Sequence, residues 1–359
     1  MTALRGESLW AMLVAQGLAS GEVPPRSEQR SPWYVRVMLG IAGWIGALFL
    51  FGFVGVIFAL VMEHAFAAVA VGALTCAGAS LIFRSSPKGD FAAQFGLAVS
   101  IAGQGLIAFG LAKWAGMNLW PAALAMAAVQ AALFVLVPNF VHRVWVAWTG
   151  VFAAALALGD VGLHALGLSL ATAAFAWVWV REFDFGTRAE MARAGGYGLA
   201  LACMQLAFMH GDYLWNSLLN GDGVKLGGDV VVWLGAALSA AVLLWAVVLL
   251  LRREGVGLDS RTGRIALASA AILGLVTIKA PGVGPAVAIL VVGYANGNRV
   301  LAGLGILALL GYLSQYYYAL HATLLEKSII LICTGTALLL TRLALHRWWP
   351  LESKEISHA

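Results

Sequence analysis

An all-α bundle of helices threaded back and forth through a membrane is the fold class this sequence predicts. About twelve spans are expected, with both termini on the cytoplasmic side. Three observations carry that expectation. The composition is too apolar for a soluble chain, the apolar residues fall in runs of roughly bilayer length, and the basic residues sort to one side when those runs are threaded in order.

Composition comes first. Hydrophobic residues make up 62% of the 359 and charged residues 11%, whereas soluble domains are about half apolar and about a quarter charged. Lipid removes the need to hide so much apolar surface. The 42 glycines and 14 tryptophans agree, since Gly lets spanning helices approach closely and Trp collects at membrane interfaces. The net charge of +5 is spread between apolar runs and forms no nucleic-acid patch. Cys76, Cys203 and Cys333 all lie inside apolar runs without CxxC spacing, and they read as small buried hydrophobes.

The elements follow in chain order. Residues 1–35 are mixed and polar, an expected cytoplasmic segment whose Leu9, Leu13 and Leu18 mark one face of a short interfacial helix. Gly21 and Pro24-Pro25 end that helix. No cleavable signal peptide is expected, because the first long apolar run exceeds a signal h-region and inserts as an anchor. The membrane domain is 36–346, with apolar segments at 37–61, 65–83, 91–112, 119–137, 144–158, 162–180, 195–209, 230–251, 265–278, 282–295, 300–320 and 324–345. Residues 347–359 form a cytoplasmic tail. Segments 144–158, 265–278 and 282–295 fall short of the ~20 residues that cross ~30 Å of hydrocarbon.

Threading all twelve leaves only Lys113, Lys225, Lys279 and Lys327 of the 22 basic residues outside, and no arginine. That asymmetry is the positive-inside pattern and supports twelve spans, as expected of a bacterial inner-membrane protein with both termini in the cytoplasm. One pair of errors would cancel: 265–295 as a single re-entrant hairpin gives ten spans with every later loop on the same side.

Polar groups inside a bilayer are costly, so each asks for a reason. Lys279 lies at a Pro/Gly break beside Pro281, Gly282, Gly284 and Pro285, where freed backbone groups can meet a substrate. The plainer alternative is a lysine snorkelling from an outer loop. Tyr316, Tyr317, Glu326 and Lys327 form the second candidate, weighed against an aromatic belt and a Thr323-x-x-Glu326 capping box. These six residues, Lys279, Pro281, Tyr316, Tyr317, Glu326 and Lys327, are the expected ligand or partner site. His64, His164, His210 and His321 map to the outer side with Glu63, Asp160 and Asp212, but no HxxxH or HExxH spacing occurs and no metal is expected. Gln104, Gln130 and Gln205 are mid-span amides that read as interhelical hydrogen-bond partners or, less favoured, as a polar pathway. The Gly72–Gly78 stretch reads as a close-packing face. No Walker A loop, nucleophile elbow or zinc-protease helix is present. No cofactor is expected, and the chain is expected not to be an enzyme.

Toward the C-terminus come Ala280-Pro281-Gly282, Gly311-Tyr312-Leu313-Ser314, Tyr316-Tyr317-Tyr318, Thr323-Leu324-Leu325, Lys327-Ser328, Gly335 and Arg342. With Ser31-Pro32-Trp33-Tyr34-Val35-Arg36 and Gly40-Ile41-Ala42-Gly43-Trp44 at the other end, this resembles the bacterial membrane family named domain of unknown function 4401. The resemblance implies no assigned activity. It implies a partner, a small membrane-anchored protein with a GDYxxLxY motif. This chain's own Gly211-Asp212-Tyr213 departs from that motif at Asn216 and Leu218. Two functions follow as expectations: binding or transport of a small solute or lipid, or a scaffold that docks another membrane protein.

Overall fold

The computed structural model describes residues 63–85, 90–116, 118–209 and 228–319, with isolated positions in 10–17, 34–49 and 325–332. Among the described residues the chain is all-α, with ten α-helices, one 3₁₀ helix and no strand. The α-helices are α1 Ala65–Ser85, α2 Asp90–Trp114, α3 Leu119–Leu136, α4 Phe140–Asp160 and α5 His164–Val180. After the 3₁₀ turn Glu182–Arg188 come α6 Ala189–Met209, α7 Gly228–Arg253, α8 Arg261–Lys279, α9 Val283–Ala295 and α10 Arg299–Ala319. They fall on ten of the twelve apolar segments. The other two, 37–61 and 324–345, lie largely outside the described residues.

Six of these helices are long and apolar enough to cross a membrane: α1, α2, α3, α4, α7 and α8. Side chains facing away from the bundle are largely apolar, with Phe66 84% exposed. Polar Ser100, Gln104, Gln130 and His142 point inward instead. That inversion is what a lipid solvent selects. It is the build of a membrane-embedded protein.

Two of the short segments lengthen when their caps are seen. Segment 144–158 becomes the 21-residue α4, because Asn139 caps it by accepting from the His142 N–H at 3.0 Å. Segment 265–278 becomes the 19-residue α8, capped by Ser260, whose Oγ accepts from the Gly263 N–H at 3.0 Å. The third stays short: α9 has 13 residues, roughly 20 Å at 1.5 Å per residue. It is sheltered by α5, α6, α7 and α10, with Ile289 fully buried. At the N-terminus, helix at Trp10, Met12, Val14 and Ala15 passes into a turn at Gln16-Gly17. The short helix therefore ends before Gly21, because Gly17 takes a positive φ that closes it.

The bundle has two chemically different ends. At one end the Arg84 Nη2 donates to the Leu136 carbonyl at 3.2 Å, and Asn296 Nδ2 donates to the Trp179 carbonyl at 3.1 Å. Arg253 donates to the Ala295 carbonyl at 3.1 Å and to Asn296, Arg193 pairs with Glu182, and Asn298 donates to the Tyr197 hydroxyl at 2.8 Å. Every described arginine belongs to this end. Here Gly255 and Gly297, with φ of 67° and 62°, close the turns after α7 and α9. At the opposite end Lys113 donates to the Glu63 carbonyl at 2.8 Å, and the Asp160 carboxylate accepts from the Trp120 N–H at 2.9 Å.

Packing differs along the bundle. A large apolar core joins α4–α7, α9 and α10 around Phe175, Trp179, Ile289 and Leu301. A smaller one joins α1 and α2 to the α3–α4 turn around Phe83, Leu97 and Val137. Helices approach at glycines in both. A Cβ at Gly72 would lie 2.6 Å from the Gly103 carbonyl oxygen, and one at Gly305 would lie 2.5 Å from the Leu290 nitrogen. Gly78, by contrast, faces open space, so the close-packing face of α1 is carried by Gly72 alone of that pair.

Candidate functional site

A connected network of polar side chains among the described membrane helices lies between α2, α3 and α4. Ser100 and Gln104 lie one turn apart on α2, Gln130 comes from α3, and His142 and Trp145 come from the first turns of α4. Ser100, Gln104, Gln130 and His142 are all buried, His142 completely. The indole sets the direction of the whole chain of bonds, because an indole nitrogen only donates. Trp145 Nε1 donates to Gln104 Oε1 at 3.1 Å, which turns the Gln104 NH₂ toward Ser100 Oγ at 3.0 Å. Gln130 Nε2 then donates to the same Gln104 Oε1 at 2.9 Å.

Ser100 Oγ accepts from Gln104 and is hydrogen-bonded to His142 Nε2, 2.8 Å away. Two buried atoms of the cluster are left without a hydrogen-bond partner, His142 Nδ1 and Gln130 Oε1. Two polar atoms in that state are expensive in an apolar interior and are the natural anchor points for a small polar molecule. The third mid-span amide, Gln205, stands apart and accepts from Trp148 Nε1 at 2.6 Å across α4 and α6.

An apolar cleft of about 520 Å³ runs beside this cluster, between α1 and α3 over Ile107 of α2. Cys76 lines the cleft and touches the cluster too, its thiol reaching the Ser100 carbonyl at 3.6 Å. The cleft extends from Val69 at one level to Arg84 at the arginine end. Its wall residues Ala73, Ala77, Leu81, Ala132 and Leu136 are exposed, so it opens sideways from the bundle. A second apolar cleft of about 350 Å³ lies between α7, α8 and α9 and ends at Glu254. That carboxylate already faces Arg253 at 3.3 Å.

Of the six residues expected from sequence to form a site, the four described ones lie at one end of the bundle, the end opposite the arginines. Lys279 ends α8 and Pro281 lies in the turn before α9, where Gly282 packs against the Tyr312 ring. Tyr316 and Tyr317 follow one turn later on α10, at the same end of the bundle. Glu326 and Lys327 lie outside the described residues, as do His210, Asp212 and His321. Among the described residues no three of His, Cys, Asp and Glu come together as a metal site.

His142 and Ser100 are the members that sequence reasoning missed. His142 sits beside Arg143 at the edge of an apolar run and reads as loop. The signal that finds it is Asn139, a helix cap three residues earlier that pulls the start of α4 back to include it.

Residues 32–348 match the family model described as Domain of unknown function (DUF4401). The chain belongs to this family. The match covers Pro32–Arg36 near the N-terminus, all ten described α-helices and the Tyr316–Tyr318 run, so the DUF4401 region includes both the polar cluster and the two clefts. No curated protein and no solved structure matches the chain.

Proposed function

We propose that this DUF4401 protein is an integral protein of a bacterial inner membrane that binds a lipid or lipid-like amphiphile. In this reading it is not an enzyme. It crosses the membrane twelve times, the ten described α-helices plus segments 37–61 and 324–345, and 265–295 counts as two crossings. Both termini are cytoplasmic. The gathering of described arginines at one end of the bundle supports that threading, because arginine is retained on the cytoplasmic side.

The observation that carries the binding reading is the α1–α3 cleft. It is apolar along its length, is open to the side from which lipid arrives, and has a cation at one end. Its volume lies within the ~300–1,000 Å³ usual for ligand sites. A hydrophilic solute would find no partners on such walls, whereas an acyl chain would. The buried polar cluster behind Cys76 holds α2, α3 and α4 in register and so keeps the cleft open.

Native mass spectrometry of the protein purified in mild detergent tests this. Retained lipid is expected on the wild-type chain and is expected to fall at least fivefold in Ala77→Phe, which fills the cleft from its exposed wall. Equal lipid retention by the two proteins, with equal thermal stability, overturns the reading.

A further inference from the structure

Arg84 is the one charged residue lining the α1–α3 cleft among the described residues, and its setting bears on what sits there. It lies in the last turn of α1 and reaches across to the last carbonyl of α3, Leu136, at 3.2 Å. The guanidinium is thereby held at the cleft's end by the negative pole of a helix. That contact uses one of five N–H donors, and the planar fork matches a phosphate better than any other membrane group. The apolar wall continues from Arg84 to Val69, roughly 22 Å at 1.5 Å per residue. That exceeds the ~15 Å depth of one leaflet's hydrocarbon. A chain can therefore lie in the cleft while its headgroup stays at the level of Arg84.

The second cleft gives the contrast within the same molecule. It is equally apolar, but its charged residue is Glu254, paired with Arg253, so it offers an anionic headgroup no unshared cation.

We propose that the α1–α3 cleft is a specific site for one anionic phospholipid of the leaflet at the arginine end, with an acyl chain along α1 and the phosphodiester on Arg84. This rests on the binding reading above and adds the headgroup class. The net negative charge of the phosphodiester carries the recognition, since a zwitterionic lipid offsets the same phosphate with its own cation, and the apolar wall commits the occupant to lipid.

The test uses the full chain, delipidated in neutral detergent and titrated with phosphatidylglycerol or phosphatidylcholine of matched chains. Occupancy of the first bound lipid is read by native mass spectrometry. Phosphatidylglycerol is expected to bind about fivefold tighter, the factor one basic residue contributes near an anionic surface. Arg84→Gln is expected to bring the two lipids to parity. Arg84→Lys, which keeps the charge without the fork, is expected to retain part of the preference and stands in if the glutamine variant does not fold. Ala77→Phe is expected to remove both lipids. A preference for phosphatidylglycerol that survives in Arg84→Gln overturns the headgroup assignment and leaves the cleft standing. Undiminished binding of both lipids in Ala77→Phe overturns the cleft itself. Glycerol phosphate, which has no chain, is expected not to compete, and competition by it also overturns the proposal.

Discussion

Gln104 and Trp179 are both almost fully buried, yet they hold their regions together by different means. Around Gln104 the helices α2, α3 and α4 meet through a directed series of hydrogen bonds, from an indole and an amide through a serine to an imidazole. Around Trp179 the helices α5, α6, α9 and α10 meet through shape. The indole stacks edge-on against Tyr197 with ring centres 5.1 Å apart, Gly196 leaves room for it, and Gly293 and Gly305 bring α9 and α10 into backbone contact. Lipid tails are as apolar as leucine, so the hydrophobic effect does not drive one spanning helix onto another. Close packing and hydrogen bonding remain, and the halves use both in different proportion: the α2–α4 half has the larger side-chain network, while around Trp179 glycine contacts are joined by the Asn296–Trp179 and Asn298–Tyr197 bonds.

The difference has a consequence for function. Shape-packed helices leave little room, whereas helices pinned at a few polar points can stand apart elsewhere. The larger cleft lies beside the polar cluster. The smaller cleft borders α9, where α8 is only lightly engaged.

The comparison breaks most readily at Gly305. Gly305→Ala puts a methyl group 2.5 Å from the Leu290 nitrogen, an atom held in a helix backbone that cannot yield. A loss of about 3 kcal/mol is expected, the upper part of the overpacking range, read by unfolding in graded denaturing detergent. If the variant is as stable as wild type, the shape-packed account of α9 and α10 is wrong.

Gln104→Leu comes next. It leaves the donors of Gln130 and Trp145 without their shared acceptor, at an expected cost of about 2 kcal/mol. The same assay on Gln205→Leu, which strands a single indole donor, is expected to show about 1 kcal/mol. Equal losses at the two glutamines would mean that Gln104 is an ordinary pairwise contact and not the centre of a cluster.

The smallest effect is a coupling. A double-mutant cycle on Ser100→Ala and His142→Phe isolates their 2.8 Å bond, with an expected interaction of about 0.6 kcal/mol, as typical for hydrogen bonds between membrane helices. Zero coupling would remove the Ser100–His142 link from the cluster.

Much of the architecture was legible in the residues because lipid acts on each of them locally. Ten helices stand where ten apolar runs predict them, and Arg84, Arg143, Arg181 and Arg253 fall at one end as the charge pattern requires. Gln104, Gln130 and Gln205 were visible as costly polar groups. Nothing in their spacing told that Gln130 donates to Gln104 while Gln205 pairs with Trp148. Helix starts were less legible: the apolar run hides the cap, so α4 and α8 looked too short until Asn139 and Ser260 were counted. The α1–α3 cleft was not legible for a further reason. Lys279 and Pro281 drew attention as a break in the hydropathy, but a break marks where a helix ends and does not show what stands opposite it.

By itself the sequence determined the all-α class, the helix segments and the partition of charge, since each depends on one residue's free energy in lipid or water. The tertiary structure alone decided that Ser100, Gln104, Gln130 and His142 meet, and that α1 and α3 leave a gap ending at Arg84. A gap between two helices is set by the side chains at other contacts, far along the chain, and no local pattern records it.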